Sequence, residues 1–322
     1  MNTPKLSVIV PIYNAQSTLV RLLGNLLNQT LSDMEIILVD DCSTDGSAQI
    51  MRAAKEQYPD KVVLLKNEKN SGPGVARNRG IEAASGEYIG FADADDIVDM
   101  SMYEQLYDEA VRTNADLTDC AYATGLDAKK AEIQISDERR GRVSWKVKSD
   151  MNSIAGYVWT KLYRKDMLDK YHIRFNNTYV LEDTAFMILS LYHAQIFAGV
   201  DKPLYIYVNT PNSLSKRDGS YEYIQTSMAA VADIFEKMSV LPHYDKVQPA
   251  VERVMTWLMI NSYRMAEQMN NADSDTVKEL LRSLMKVTIQ IPPKENYYTM
   301  NGADDDDIRV LDEMIASASK AL

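Results

Sequence analysis

The sequence predicts an α/β fold, a mostly parallel sheet covered on both faces by helices, followed by a helical C-terminal region. Three observations predict it. Four short apolar runs with β-branched content occur in the first hundred residues, helix-patterned stretches separate them, and beyond about residue 220 the apolar spacing is helical alone.

The four runs are Leu6–Ile12 (LSVIVPI), Glu35–Val39 (EIILV), Lys61–Leu65 (KVVLL) and Glu87–Ala92 (EYIGFA). Runs this continuously apolar suit strands buried on both faces, as in parallel sheets. Between the first two, Leu19, Leu22, Leu23, Leu26 and Leu27 recur at helical spacing, with Ser17 or Thr18 as N-cap. Asp45-Gly46-Ser47 leads into a second helical stretch, AQIMRAAKEQY. In such sheets ligands bind beyond the carboxyl ends of the strands, which places Pro11–Asn14, Asp40-Asp41 and Asp93–Asp96 along one rim. A helix from Ser101 and a strand at Leu117–Ala123 follow. Residues 127–152 are charged and weakly periodic and read as a variable excursion. Thr184–His193 is helical, Pro203–Val208 a strand, and Asn209–Gly219 a polar loop. Ile224–Met238, Val251–Met269 and Thr276–Val287 are helical segments, and the acidic run Ala303–Asp307 is a solvated loop or a helix start. The domain division expected is 1–220 for the α/β domain and 221–322 for the helical region.

Composition narrows the function. Of 322 residues, 46% are hydrophobic and 25% charged, an ordinary globular balance. Acids outnumber bases 46 to 35, for a net charge of −11, which argues against nucleic acid as the main partner. Cys42 and Cys120 are the two cysteines, and no spacing suits a zinc site, so a reducing cytoplasm is the simpler location. No secretory leader and no bilayer-length apolar run is visible, so a soluble protein is expected, with docking on a membrane surface left open. A dinucleotide-dependent oxidoreductase needs Gly-x-Gly-x-x-Gly after the first strand, where this chain has PIYNAQ.

The stretch EYIGFADADDIVD sets four carboxylates after the fourth run. In an extended segment Asp93 and Asp95 project to the same side and Asp96 elsewhere. Like charges at that range raise each other's pKa unless something positive sits between them. The pattern asks for a divalent cation, Mg²⁺ or Mn²⁺, with substrate phosphates completing its shell. Asp40 fits a cap of the turn Ser43-Thr44-Asp45-Gly46. Asn70-Ser71-Gly72 and Gly74 form a flexible loop ahead of Arg77 and Asn78. Core packing is the commoner role of an aromatic residue such as Trp159 or Tyr157.

The order SVIVPIYN, ILVDDCSTDGS, NSGPGVARNRGIEAASGEYIGFADADD, VWTKLYR and YVLEDTAF resembles family 2 glycosyltransferases, of the bacterial cell-surface polysaccharide type. The resemblance spans roughly residues 5–216. It implies a GT-A fold and inverting transfer of a sugar from a nucleotide diphosphate donor, a UDP-sugar, to a saccharide or lipid-linked saccharide acceptor at the cytoplasmic side of a membrane. By that resemblance Pro11, Tyr13 and Asp41 form the base pocket, and Arg77 and Asp93 contact the nucleotide. Asp95, with Asp93, holds the metal. Asp183 of Glu182-Asp183 is the catalytic base, and Trp159, Glu182, Ser215 and Lys216 contact the acceptor or belong to a closing loop. The chain departs from the pattern at Val208, where an Arg is common, and at Cys42, where Gly, Ala or Ser is commoner. The competing reading is a non-catalytic nucleotide-sugar-binding or interaction protein of the same fold. His172, His193 and His243 have no motif partner and read as surface or packing residues.

Overall fold

The computed structural model describes residues 3–125, 130–132, 139–152, 157–178, 181–208, 221–269 and 273–316. Tyr179, Ser213, Ser215, Lys216, Arg217 and the polar loop at 209–219 lie outside the described residues. The chain divides into two compact units. The first takes residues 1–143, 157–179 and 189–211; the second takes 144–156, 180–188 and 212–322. The helical C-terminal region thus groups with two earlier segments, a division different from a single boundary at 220.

In chain order the elements begin with β1 (Leu6–Ile12), α1 (Leu19–Leu27), β2 (Met34–Asp40), α2 (Ser47–Gln57), β3 (Val62–Lys66), α3 (Pro73–Ala83), β4 (Tyr88–Phe91) and β5 (Ile97–Val98). Next come α4 (Met102–Thr113), β6 (Leu117–Thr124), β7 (Lys130–Glu132), β8 (Gly141–Arg142), α5 (Trp145–Asn152), β9 (Lys161–Arg164), α6 (Lys165–Lys170), α7 (Glu182–His193) and β10 (Ile196–Tyr207). The last are α8 (Tyr221–Met238), α9 (Gln248–Gln268), α10 (Asp273–Thr288), α11 (Tyr297–Met300) and α12 (Asp305–Ala316).

Among the described residues the ten strands form one sheet in the first unit, in the order β3-β2-β1-β4-β9-β6-β10-β5, with β7 beside β6 and β8 beside β10. β3, β2, β1 and β4 run parallel. β9 is antiparallel to both β4 and β6, and β10 is parallel to β6. Six of the seven residues of β1 are buried, because both faces of this central strand are covered. Ile12 pairs with Asp40, Asp40 with Lys66, and Ile9 with Phe91, so the turns that follow these strands emerge along one rim. The antiparallel start of β9 lies at the same end, since Leu162 pairs with Gly90.

α1 buries Leu19, Leu22, Leu23 and Leu26, the stripe its spacing predicts. α3 begins with Pro73 after Gly72, whose φ of 88° suits glycine. It approaches β1 closely at Gly80, where an added Cβ would overlap the Ile9 side chain. That approach carries Arg77, 5% exposed, inward towards the rim.

β10 starts seven residues before the expected strand. Phe197–Val200 pair with β6, but exposed Asp201 and Lys202 interrupt the pattern, and the register shifts around Pro203. Part of the expected excursion at 127–152 is α5, which buries Lys148, Ser149 and Asn152 and so lacks an apolar stripe. In the second unit, α9 buries Val251, Val254, Met255, Leu258 and Met259. Its fully buried Glu252 accepts the N–H groups of Gln290 and Ile291. The acidic run opens α12, where Arg264 and Arg309 pair with Asp306 and Arg264 with Asp307.

Gly80→Ala should lower stability by about 1–3 kcal/mol through overpacking against Ile9. Gly24→Ala, on an exposed face of α1 with open space around it, should leave stability unchanged or raise it by up to about 1 kcal/mol. Urea denaturation of the two variants checks the contrast.

Candidate active site

The first part of the rim is a pair of interlocked turns. Asn14, at φ 50°, accepts the Thr44 N–H through Oδ1 at 2.8 Å and donates its own N–H to Ser43 Oγ. Pro11 sits near the end of β1, and Tyr13 is 48% exposed just beyond it. Asp40 accepts the Ser43 N–H at 2.8 Å, the turn cap expected of it. Asp41 is buried and accepts from Asn67 Nδ2 at 2.8 Å, from the Ser71 N–H and from the Gly72 N–H at 2.7 Å. Its carboxylate therefore anchors the loop before α3. Between these residues Cys42 adopts φ 65°. A positive φ gives glycine a conformational advantage at this position.

The acidic stretch is a turn rather than the extended segment expected, with the Asp96 N–H bonded to the Asp93 carbonyl. The turn separates the fates of its carboxylates. Asp93 pairs with Arg77 at 2.7 Å, so this pair does have a protein cation, which the sequence reading left out. Asp96, 1% exposed, accepts from the Tyr205 hydroxyl at 2.7 Å and from the Val208 N–H at 2.8 Å. The same hydroxyl accepts the Asp93 N–H at 3.1 Å. Burial, with Asp93 and Asp95 as like-charged neighbours, pushes the Asp96 carboxyl well above the usual carboxylate range. Burial and these carboxylates likewise push the Tyr205 hydroxyl up, which keeps its proton in place for donation. The Arg21 guanidinium donates to the Asp95 carbonyl. Asp95 itself is half-buried on the turn.

Arg21 and Tyr205 escaped the sequence reading, and Asp96 was placed on the rim without a role. Arg21 lies on a leucine-rich helix, where an arginine ordinarily faces solvent, and Tyr205 sits among alternating apolar residues of a strand. The one available signal was the doubled Asp95-Asp96.

Trp159 is 4% exposed and serves the core of the first unit, stacked between Tyr157 and Tyr205. Lys161, next to it, is buried and paired with Asp119 at 3.1 Å; burial raises the Asp119 carboxyl while Lys161 opposes that rise. In the second unit, Glu182 and Asp183 form the acidic first turn of α7, a placement the helix dipole favours. Leu181 precedes them at φ 60°, a strained conformation for a residue with a branched side chain. Among the described residues no three carboxylate, histidine or cysteine side chains form a ready-made metal cluster, and no helix is long and apolar enough to cross a membrane.

Residues 7–172 match the model of glycosyl transferase family 2. This chain belongs to that family. The chain is 32% identical over 220 residues to an uncharacterized glycosyltransferase of Bacillus subtilis, EpsJ, an alignment covering 66% of this chain and 63% of that protein. The match thus spans less than two thirds of that relative's length. Among solved structures, Staphylococcus aureus TarS 1-349 in complex with UDP-GlcNAc superposes with a TM-score of 0.70 at 19% identity, over 98% of this chain and 92% of that one. Mannosyltransferase PcManGT from Pyrobaculum calidifontis, in complex with GDP-Man and Mn²⁺, gives 0.54 at 18% identity, over 99% and 87%. At such identities the likeness is one of fold, and the fold of this chain is GT-A.

Tyr205→Phe should cost about 1–3 kcal/mol, because it leaves a buried oxygen of Asp96 without its donor. Denaturant titration checks it; a change within about 0.3 kcal/mol would mean that the brace carries no strain.

Proposed function

We propose that this glycosyltransferase moves a sugar from a UDP-sugar to an acceptor hydroxyl with inversion at the anomeric carbon. The observation that carries the reading is the acidic turn, held at the carboxyl rim beside the loop anchored by Asp41. TarS, of the same fold, is described with UDP-GlcNAc, and PcManGT with a nucleotide-sugar and Mn²⁺.

In this reading Pro11 and exposed Tyr13 line the base. Asp41 accepts the uracil N–H in addition to its loop donors, since an ionised carboxylate offers about four acceptor sites. Asp93, steadied by Arg77, faces the ribose and diphosphate. The donor set around the turn is carboxylate oxygen, the chemistry that suits Mg²⁺ or Mn²⁺, and Asp95 with Asp93 would hold the ion. When bound, such an ion neutralises charge on the departing diphosphate. Two carboxylates fall short of a full shell, consistent with phosphate oxygens completing it.

Asp183 is the general base. It takes the proton of the acceptor hydroxyl as that oxygen forms its bond to the anomeric carbon. The bond from that carbon to the diphosphate oxygen breaks on the opposite face, and its electron pair leaves with UDP. One displacement inverts the configuration. Glu182 assists beside the base, and Ser215 and Lys216 belong to a loop that closes on the donor. The acceptor is a saccharide or lipid-linked saccharide of a surface polysaccharide, met at the cytoplasmic face of the membrane.

Asp183→Asn should reduce kcat by roughly 10²–10⁴ while leaving UDP affinity nearly unchanged. Glu182→Gln should be milder. NMR of the product decides the stereochemistry, and a retained anomer or full turnover by Asp183→Asn would overturn the mechanism.

A further inference from the structure

The ring of Tyr157 is 41% exposed, yet it lies flat on Trp159, with centroids 4.6 Å apart and planes 15° from parallel. Trp159 in turn stacks on buried Tyr205 at 4.2 Å and 18°. Tyr122 meets the rings of Tyr157 and Trp159 edge to face, each at 5.2 Å. Tyr205 is the residue whose hydroxyl joins the Asp93 N–H to the Asp96 carboxylate. The stack therefore runs from the acidic turn to solvent, and Tyr157 is its outer ring. The backbone is fixed independently: Lys161 Nζ donates to the Tyr157 carbonyl at 2.8 Å and to Thr160 Oγ1 at 2.9 Å, and pairs with Asp119. A buried ion pair contributes little net stability. Its use here is to hold one carbonyl, and with it the ring above, in place.

We propose that Tyr157 is a stacking platform for the acceptor saccharide. A pyranose presents an apolar C–H face, whose slightly positive hydrogens complement the negative face of an aromatic ring. A ring already locked by its neighbours loses little freedom on binding, so the contact is preorganised. Packing alone accounts for buried Trp159, but it gives no reason to seat an exposed ring on the stack that leads to the acidic turn. The proposal rests on the sugar-transfer reading above. The donor's own sugar is the other pyranose that could reach the ring, and the measurements separate the two.

The test uses the full chain with Tyr157→Phe, which keeps the π face, and Tyr157→Leu, which keeps apolar bulk without it. Methyl β-glucoside, methyl β-galactoside and methyl N-acetyl-β-glucosaminide are titrated by saturation-transfer NMR, with and without UDP and Mn²⁺. At least one glycoside should bind wild type and Tyr157→Phe alike, and about five- to tenfold more weakly to Tyr157→Leu. UDP affinity and the KM for UDP-sugar hydrolysis in water should be the same in all three. Equal glycoside affinity in Tyr157→Leu and wild type, or no glycoside binding to wild type, overturns the platform. A raised KM for UDP-sugar in Tyr157→Leu places the ring on the donor and also overturns it. If wild type binds glycosides but not UDP, the platform stands and the donor reading falls.

Discussion

The placement of Asp93, Asp95 and Asp96 within four residues of chain is the constraint on which the surrounding structure depends. Carboxylates that close repel, and burial multiplies the cost. The carboxylates of Asp93 and Asp96 are met by different partner groups, and Asp95 is tied through its backbone. Arg77 reaches Asp93 because α3 packs tightly on β1, and Tyr205 and Val208 reach Asp96 because β10 passes beside the turn. Arg21 fixes the backbone at Asp95 from α1. Three separate elements are thus tied to a single turn, so the rim's geometry is set before any ligand arrives.

β1, β2 and β4 were legible because almost all of their residues are buried, which leaves a near-continuous apolar signature, whereas the short β5, β7, β8 and β9 were not read as strands. β10 was half hidden by Asp201 and Lys202, which interrupt a strand whose pairing continues around them. α5 was hidden because it buries lysine, serine and asparagine, residues that read as surface. At the site the limits were physical too. Alternation predicts side-chain direction only in extended chain, and the acidic stretch turns instead. The donors to Asp41 are partly backbone N–H groups, which no residue type advertises.

A division of labour follows between what resemblance implies and what packing explains. Resemblance assigned Asp41 to the base pocket; packing makes it the anchor of the loop at Asn67–Gly72 as well, so its replacement would disturb more than one contact. Trp159 was a candidate for contact with the acceptor, but its burial assigns it to the core and passes the exposed role to Tyr157. Leu181, strained immediately before Glu182 and Asp183, holds the start of α7 in a conformation that costs free energy, as functional segments commonly do.

The central proposal is that the acidic turn, through Asp95 with Asp93, holds a divalent cation shared with a nucleotide diphosphate. Calorimetry of UDP binding tests it most directly, with Mn²⁺, with Mg²⁺ and with EDTA, on wild type and on Asp95→Asn. The account predicts that wild type binds UDP tightly only with a divalent cation, and that Asp95→Asn loses most of that dependence. UDP affinity unchanged by EDTA in wild type would contradict it.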